Sequence, residues 1–310
     1  MNEKKIDAMN LDANESAFFK KSLEYVKAAT YDVKYPSNKA LGLFPVSAEA
    51  GPAASEITWR QYDKVGLAKL IADYATDFPR VDIYGTEQSV KIHDIGTSYG
   101  YSIMEIRRAA MAGVALETRR AAVAREVIDK KLNDIALSGD TSANIKGFLQ
   151  YAGTTEFTVT SGAAGNTWAL KTADEILADM NGLVEAVITT TNGVETPDTM
   201  LLPLAHYLLI ARKRIATDSE GKTVLKYFLE NNPYIKRIEW LTELSTGSDT
   251  SGTRAIVFKN DAQHLTFEVP VPFEQFEADK KGLAYEIPCL ARTAGIIMYY
   301  PLSAAYCDSL

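Results

Sequence analysis

The chain has 310 residues, of which 46% are hydrophobic and 24% are charged, and its formal net charge is -7 at pH 7. This composition is typical of globular proteins and excludes fibres and wholesale disorder. The acidic balance excludes a global positive field that would draw the protein to nucleic acid or to an anionic membrane. The length fits one elaborate domain or two closely joined ones.

Cysteine usage and hydropathy indicate a cytosolic protein. Cys289 and Cys307 stand far apart and form neither a disulfide framework nor a zinc motif. The polar N-terminal sequence lacks the apolar run of a signal peptide. No stretch approaches the roughly 20 apolar residues of a membrane-spanning helix, so we expect no membrane association.

The N-terminal quarter of the chain predicts extended structure. A weak helical stripe predicts one short helix over residues 17–28, and a Gly-Pro pair makes residues 43–55 a linker. Glu56–Tyr62 alternates like a strand, residues 63–66 supply turn chemistry, and residues 67–73 are predicted to return beside it. Because an isolated two-stranded ribbon is marginal in water, we expect this hairpin to lean on another surface.

A sheet and two helices are predicted next. Val81–Tyr84 and Ser89–Ile95 resemble two short strands around Gly85. Ser102 and Glu105 form a capping box that begins a helix. A longer helix, the spine helix, is predicted over residues 116–138 with Gly139 as its stop, because apolar residues recur three or four apart: Val123, Val127, Ile128, Leu132 and Ile135.

The second half of the chain alternates between helices and strands, which predicts a compact α/β block followed by long strands. A capping box at Thr172 and Glu175 begins a helix that extends to about residue 188. Further helices are predicted over residues 204–215 and 223–230. Strands are predicted over residues 200–202, 235–241, 254–258, 265–269, 283–290 and 295–300.

No motif for catalysis or for cofactor binding stands out. His93, His206 and His264 occur singly, without the spacing of a metal site, and each is most simply structural. Gly221-Lys222-Thr223 imitates the end of a phosphate-binding loop but lacks the upstream glycine and the preceding strand. We therefore predict no enzyme activity, no catalytic, cofactor-binding or metal-binding residue, and no cofactor.

A family resemblance rests on three segments in order along the chain. The run from Tyr99 to Ala109, the charged helix of residues 117–140 and the triplet Gly147-Phe148-Leu149 together resemble the major capsid proteins of tailed phages and prophages, of the Hong Kong 97 type. Phe148 departs conservatively from the leucine that is usual in relatives. The order of the predicted elements agrees along nearly the whole chain.

The resemblance implies an α+β fold, the Hong Kong 97-like capsid fold, in which the chain divides into five parts. These are an N-terminal arm (1–48), an extended hairpin called the E-loop (49–76), a peripheral domain with the spine helix (77–170), an axial α/β domain (171–262), and return strands of the peripheral domain with a C-terminal strand (263–310).

The resemblance also implies the function. The chain would be a major capsid protein that self-assembles, as pentamers and hexamers, into the icosahedral head shell around double-stranded DNA. It would belong to the virion capsid and assemble in the host cytoplasm. The implied partners are a portal, a decoration protein and a separate scaffolding protein, since 310 residues leave no room for a long scaffolding segment before the arm.

Physical reasoning supports self-association, because an arm and a ribbon that cannot bury their own apolar surface present association sites. The candidate contact residues are Phe18, Phe19, Trp59, Tyr62, Asp63, Lys64, Leu67 and Leu70. A second set on the spine helix is either a solvated face or a lining that faces packaged DNA: Arg119, Arg120, Arg125, Lys130 and Lys131.

Two alternatives stay open at this point. One is an encapsulin-like nanocompartment shell of the same fold. The other is a soluble α/β enzyme with a ligand site at residues 200–206, where a strand-to-helix loop would bind the ligand. Some relatives form isopeptide crosslinks from an E-loop lysine, and Lys64 or Lys69 lies in that region, but no asparagine or assisting acid is identified and no crosslink is predicted.

Overall fold

The computed structural model describes residues 38–70, 78–112, 119–151, 153–163, 165–215, 221–245, 253–308 and 310. It contains both helices and strands, arranged in three larger sheets and two small two-stranded ones. The predicted helix over residues 17–28 lies outside the described residues. Within the described part, no helix has the length and hydrophobicity that a membrane span requires.

A long antiparallel ribbon is the most extended part of the described chain. Strands β2 (Glu56–Val65) and β3 (Asp82–Lys91) pair over ten consecutive positions, from Glu56 opposite Lys91 to Val65 opposite Asp82. The predicted return strand over residues 67–73 is therefore wrong: β2 pairs with β3, which lies beyond residue 76, where the E-loop was predicted to end.

The prediction of two short strands around Gly85 is also wrong, because Gly85 lies inside β3. Gly85 is opposite Tyr62, and a Cβ atom there would lie 3.0 Å from the Tyr62 ring. The glycine therefore makes room for a cross-strand ring instead of ending the strand. Gly85 therefore marks a close approach to the Tyr62 ring within a continuous strand, and not a turn.

The peripheral sheet is built on the pairing of two ten-residue strands. Strand β4 (His93–Ser102) pairs along its full length with β14 (Ala284–Thr293). Strands β12 (Val271–Gln275) and β13 (Asp279–Lys281) pair with the other edge of β14. Ten residues extend for roughly 33 Å, which matches the roughly 30 Å of a 20-residue helix laid across the sheet.

Two helices follow β4, as predicted. Helix α2 (Ile103–Ala112) begins at the Ser102 cap, where the Ser102 backbone N–H donates to the Glu105 carboxylate at 3.0 Å. The spine helix, α3 (Arg119–Ser138), ends at the predicted residue. Residues 113–118, which include the predicted start of the spine helix, lie outside the described residues.

The buried face of the spine helix differs in part from the prediction. Ile128, Leu132 and Ile135 are buried as expected, but Val123 and Val127 are 55% and 51% exposed. Each successive residue is rotated by about 100° around a helix, so a spacing of three or four residues does not decide which of two neighbouring stripes faces the core. The buried stripe follows Ala124 and Ile128, which leaves the two valines on the outside.

Two glycines close the turn after the spine helix. Gly139 has a φ of +74°, and a Cβ atom on it would lie 2.4 Å from the backbone nitrogen of Gly147. The two backbones meet where β5 (Gly139–Asp140) pairs with β6 (Ile145–Lys146). Only glycine fits both positions, which explains why the triplet Gly147-Phe148-Leu149 begins with glycine.

The described chain also contains an α/β block, which we call the axial block after the axial domain that the resemblance implies. Its mixed sheet has the order β7-β16-β10-β8-β9. The strands are β7 (Thr155–Glu156), β8 (Thr199–Pro203), β9 (Arg237–Leu241), β10 (Arg254–Phe258) and β16 (Ala304–Asp308). The helices are α4 (Ala173–Thr190), α5 (Leu204–Arg212) and α6 (Val224–Asn231). The Thr172–Glu175 capping box of α4 is confirmed, with both reciprocal hydrogen bonds formed.

A third, small sheet lies beside the base of the ribbon. Strand β11 (Leu265–Glu268) pairs with β15 (Gly295–Met298), and β1 (Val46–Ser47) adds to β11 in parallel. The four-residue helix α1 (Ala40–Leu43) precedes β1, and short 3-10 turns occur at Phe148–Gln150, Glu243–Ser245 and Pro301–Ser303. This sheet connects the ribbon to the body of the molecule.

Two hydrophobic cores hold the body together. One surrounds the spine helix and includes the ring cluster of Phe44, Phe148 and Phe258, whose centroids are 4.8 to 5.9 Å apart. The other fills the axial block around Met180 and Phe228. Tilted and edge-to-face rings at these distances pack favourably, so the body is a well-filled support for the ribbon.

A buried ion pair lies inside the axial block. Lys171 Nζ is 2.5 Å from Asp179 Oδ2, and both side chains are 1% exposed. Asp179 also accepts hydrogen bonds from Trp168 Nε1 at 3.0 Å and from Thr160 Oγ1 at 2.8 Å. Each carboxylate oxygen is therefore satisfied, which offsets the desolvation of the charges.

We expect Asp179→Ala to lower the free energy of unfolding by about 3–5 kcal/mol, because it leaves the Lys171 ammonium buried without a counter-charge. Urea unfolding of the dispersed subunit measures this change. The matched control is Glu87→Ala, which removes a pair with Arg60 that is more than half exposed on both sides, and it should cost at most about 1 kcal/mol. Equal costs for the two variants would contradict the prediction.

Candidate interaction surface

The described residues offer little for catalysis. They contain no group of three or more His, Cys, Asp or Glu side chains that could hold a metal ion. His264 has Nε2 at 2.9 Å from Glu195 Oε2, and His206 lies edge-on to Trp168, where burial lowers its pKa. Burial also raises the pKa of the Cys307 thiol to about 12, so that the nucleophilic thiolate is not formed.

Two sequence features that resemble ligand sites have structural roles. Thr223 caps α6, accepting the Lys226 backbone N–H on its hydroxyl, and Lys222 pairs with Glu230 at 2.9 Å. At residues 200–206, α5 begins at Leu204 directly after the last residue of β8. This junction leaves no strand-to-helix loop at which a ligand of the alternative soluble enzyme would bind.

The outer half of the ribbon carries a concentration of exposed apolar side chains. We call this region the hairpin tip; it comprises the described residues of 62–84. Leu67 is 81% exposed and Leu70 is fully exposed. The large apolar side chains that are at least half exposed there are Tyr62, Val65, Leu67, Leu70, Phe78, Val81, Ile83 and Tyr84. A patch of this kind marks an association site, because single exposed apolar residues are common on monomers but such clusters are rare.

The structure brings most of the predicted contact residues together. Tyr62, Asp63, Lys64, Leu67 and Leu70 all lie at the hairpin tip and are exposed. Phe18 and Phe19 lie outside the described residues. None of these positions by itself demonstrates a contact, so the contact set remains a prediction.

Trp59 lies elsewhere, at the base of the ribbon. It is partly buried, with its ring edge-on to Tyr299 at a centroid distance of 5.7 Å. Beside it, the Gln61 side-chain amide donates to the Tyr299 carbonyl oxygen. These contacts attach the ribbon to the body of its own chain.

Sequence reasoning missed five of the eight exposed apolar side chains of the hairpin tip, namely Val65, Phe78, Val81, Ile83 and Tyr84. The available signal was the pair Ile83 and Tyr84: adjacent strand residues point to opposite faces, so two large apolar neighbours imply a strand that is apolar on both faces. In a two-stranded ribbon neither face is covered by a further sheet within the ribbon, and both residues are indeed exposed.

The cationic side chains of the spine helix differ in the ion pairs, ring contacts and hydrogen bonds that they form. Arg120 pairs with Glu105 at 3.0 Å, lies over the Tyr101 ring and donates to the Gly100 carbonyl oxygen. Lys131 pairs with Asp140 at 2.9 Å, and Arg125 is 4.0 Å from Asp129. Arg119 and Lys130 lie on the exposed side of the helix. The five side chains therefore do not form one continuous cationic surface.

The ion pairs shift the titration of their carboxylates. The Arg120 hydrogen bond holds the pKa of Glu105 below its usual value, and the Ser102 backbone N–H adds to the effect. Ser142 and then Lys131 lower the pKa of Asp140 in the same way. A lowered carboxyl pKa stabilises the fold above the unfolded pKa, and this contribution is lost as the pH falls through the folded pKa.

We expect Arg120→Gln to raise the pKa of Glu105 toward its ordinary value, because the variant removes the charged donor while a neutral amide remains. Side-chain carboxyl chemical shifts of Glu105, followed by NMR through the acidic range, measure this change. Arg125→Gln, on the same helix, is the control and should leave the Glu105 titration unchanged. An unchanged Glu105 pKa in Arg120→Gln would show that the ion pair does not form in solution.

The chain matches a known protein family by sequence and several solved proteins by structure. A family model described as major capsid protein matches residues 66–310. No curated protein sequence matches the chain. The capsid of Myoviridae phage XM1 is similar in structure, with a TM-score of 0.79 and 17% sequence identity over 94% of this chain and 98% of that chain.

Two further solved structures are similar over most of their length. The capsid of a native GTA particle has a TM-score of 0.65 and 12% identity, covering 97% of this chain and 99% of that chain. A virus-like particle from Pyrococcus furiosus has a TM-score of 0.53 and 16% identity, covering 86% and 91%. At these identities the likeness shows a common fold.

Proposed function

The chain belongs to the major capsid protein family, and on this basis we propose that it builds the icosahedral head shell of a tailed phage from pentamers and hexamers of itself. Family membership makes it a structural protein of the virion capsid that self-assembles into shell oligomers. The predicted family and the Hong Kong 97-like fold class are confirmed. The nanocompartment alternative is not favoured, because the matching family model describes a capsid protein.

The hairpin tip is the observation that carries the proposed assembly. Its apolar side chains, such as Leu67 and Leu70, are exposed to solvent in the single chain. Burial of apolar surface contributes about 25 cal/mol per Å², so covering several such side chains with a second copy drives association. The tip is thus the surface that a neighbouring copy covers in the shell.

A shell does not require any one of these contacts to be strong. A contact between different patches of identical copies repeats around a ring and closes it when the rotation allows. Each further copy meets its neighbours at high effective concentration, so contacts of roughly 800 Å² per partner sum to a stable shell. This is why a ribbon with a modest apolar tip suffices for assembly.

The parts of the chain are proposed to take the positions that the family resemblance implies. These are an N-terminal arm (1–48), an E-loop, a peripheral domain, an axial domain (171–262), and return strands with a C-terminal strand (263–310). We extend the E-loop from residue 49 to residue 91, because β3 completes the ribbon that β2 begins. The peripheral domain then begins with β4 at His93.

The shell is proposed to assemble in the host cytoplasm and to enclose double-stranded DNA, with a separate scaffolding protein, a portal and a decoration protein as partners. The cations of the spine helix proposed to face the DNA are Arg119, Arg120, Arg125, Lys130 and Lys131. Asp129 and Asp134 are interleaved with them, so the lining would neutralise few phosphates. A lining with mixed charges holds DNA without binding it tightly.

We expect the double variant Leu67→Asp, Leu70→Asp to fold normally but to lose assembly. Both side chains are exposed, so the free energy of unfolding should change by at most about 0.5 kcal/mol. The charges would have to be desolvated in any contact that covers the tip. Negative-stain electron microscopy and sedimentation measure assembly, and circular dichroism measures folding.

The matched control is Val194→Asp, which places one such charge at a side chain 79% exposed in the axial block. The single variant Leu67→Asp, which also adds one charge, is compared with it. Val194→Asp should assemble like the wild type. If the tip variant forms shells as readily as the control does, the hairpin tip is not a contact that the shell requires.

A further inference from the structure

A groove of about 650 Å³ opens at the base of the ribbon, between β1, β2 and the β11–β15 sheet. Its apolar walls are aromatic and aliphatic, and two carboxylates lie among them. The groove lining includes Val46, Trp59, Tyr299, Tyr300, Glu49 and Glu268. Aromatic faces beside carboxylates form a site that suits a cationic side chain on an apolar stem.

The groove is acidic on balance. Glu268 is 4% exposed and accepts a hydrogen bond from Thr266 Oγ1 at 2.8 Å, while Glu49 is exposed. The cation at the rim, Arg60, is 3.0 Å from Glu87 and is neutralised by it. Burial, with the charges of Glu268 and Glu49, raises the pKa of Tyr299, so both carboxylates act on the same part of the groove.

The groove also contains a hydrogen-bond donor without an acceptor. The indole nitrogen of Trp59 is buried and has no partner among the described residues. Buried polar groups in folded proteins are nearly always hydrogen-bonded, so an unpaired indole N–H beside the groove is a sign that this part of the single chain is incomplete.

The chain itself contains a segment of complementary chemistry. Residues 64–70, Lys-Val-Gly-Leu-Ala-Lys-Leu, carry two lysines and no acid, alternating with apolar side chains. The whole segment is exposed and none of residues 66–70 lies in a strand. Its lysines complement Glu49 and Glu268, and its apolar side chains complement the ring-lined walls.

A chain cannot place this segment in its own groove. Trp59 and Val65 are six residues apart on a strand, which separates the groove from the tip by roughly 20 Å. The ribbon keeps one uninterrupted register over all ten pairs, so no bulge bends the tip back toward the base. The occupant with this chemistry is therefore another copy.

We propose that residues 64–70 of one copy dock in the groove at the ribbon base of a second copy. The contact is head-to-tail, because tip and groove are different surfaces of the same chain, and repetition of such a contact generates rings or open arrays. This inference rests on the proposed function and specifies which surface of the neighbouring copy receives the hairpin tip.

A charge reversal tests the pairing. The groove variant Glu49→Lys and the tip variant Lys64→Glu should each raise the protein concentration needed for assembly about tenfold or more, since close charge pairs across interfaces couple at that level. The two substitutions combined exchange the charges of one pair and leave Glu268 and Lys69 unchanged, so assembly should recover toward the wild-type concentration. Failure of the combined variant to recover would overturn the proposed pairing.

Cysteine cross-linking tests the position of the contact. Glu49→Cys with Lys64→Cys in one chain should give, on mild oxidation, a ladder of covalent multimers on a non-reducing gel. The native Cys289 and Cys307 are buried, so the wild type should give no ladder. The matched control is Thr58→Cys with Lys64→Cys, because Thr58 is exposed on the face of β2 opposite to Trp59.

The outcomes separate this inference from the proposed function. Shells of the Glu49→Lys variant at wild-type concentration, or equal ladders from both cysteine pairs, would overturn the docking in the groove while the shell function stands. Wild-type protein that stays monomeric, with no ladder from the Glu49→Cys, Lys64→Cys pair, would overturn both.

Discussion

The proposed function depends on one feature, the exposed apolar side chains on both faces of the two-stranded ribbon. Tyr62, Ile83 and Tyr84 project from β2 and β3 into solvent, and no third strand or helix of the described residues covers them. The described part of the single chain is therefore an incomplete hydrophobic unit. The proposed association with further copies would remove this surface from water, and the chain belongs to a capsid family whose members self-assemble.

The rest of the chain supports the ribbon rigidly. The spine helix lies across the long pair β4–β14, and its turn is closed by the contact of Gly139 with Gly147. A second core and the Lys171–Asp179 pair fill the axial block. At the ribbon base, Trp59 packs on Tyr299 and so ties β2 to the body. A well-packed base sets the direction in which the tip points, and in the proposed contact that direction decides where the next copy binds.

Features that depend on residues a few positions apart were predicted correctly, and features that depend on distant segments of the chain were not. The capping box at Thr172 needs only residues three apart, and it formed as expected. The partner of β2 was wrong, because a turn signal at residues 63–66 resembles a tight hairpin whereas pairing depends on β3, seventeen residues beyond β2's end. Val123 and Val127 were placed in the core by spacing alone, which does not say where around the helix the sheet lies.

The sequence by itself determined the helices with their caps and the alternating axial block, because these follow from periodicity and from contacts within a few residues. The class of fold was implied by the family resemblance of three sequence segments. The tertiary structure alone decided which strands pair, which apolar side chains stay exposed and that Glu49, Trp59 and Glu268 line one groove. Glu268 lies more than 200 residues from Glu49 and Trp59 along the chain. Their meeting is set by the packing of whole elements, which no local pattern records.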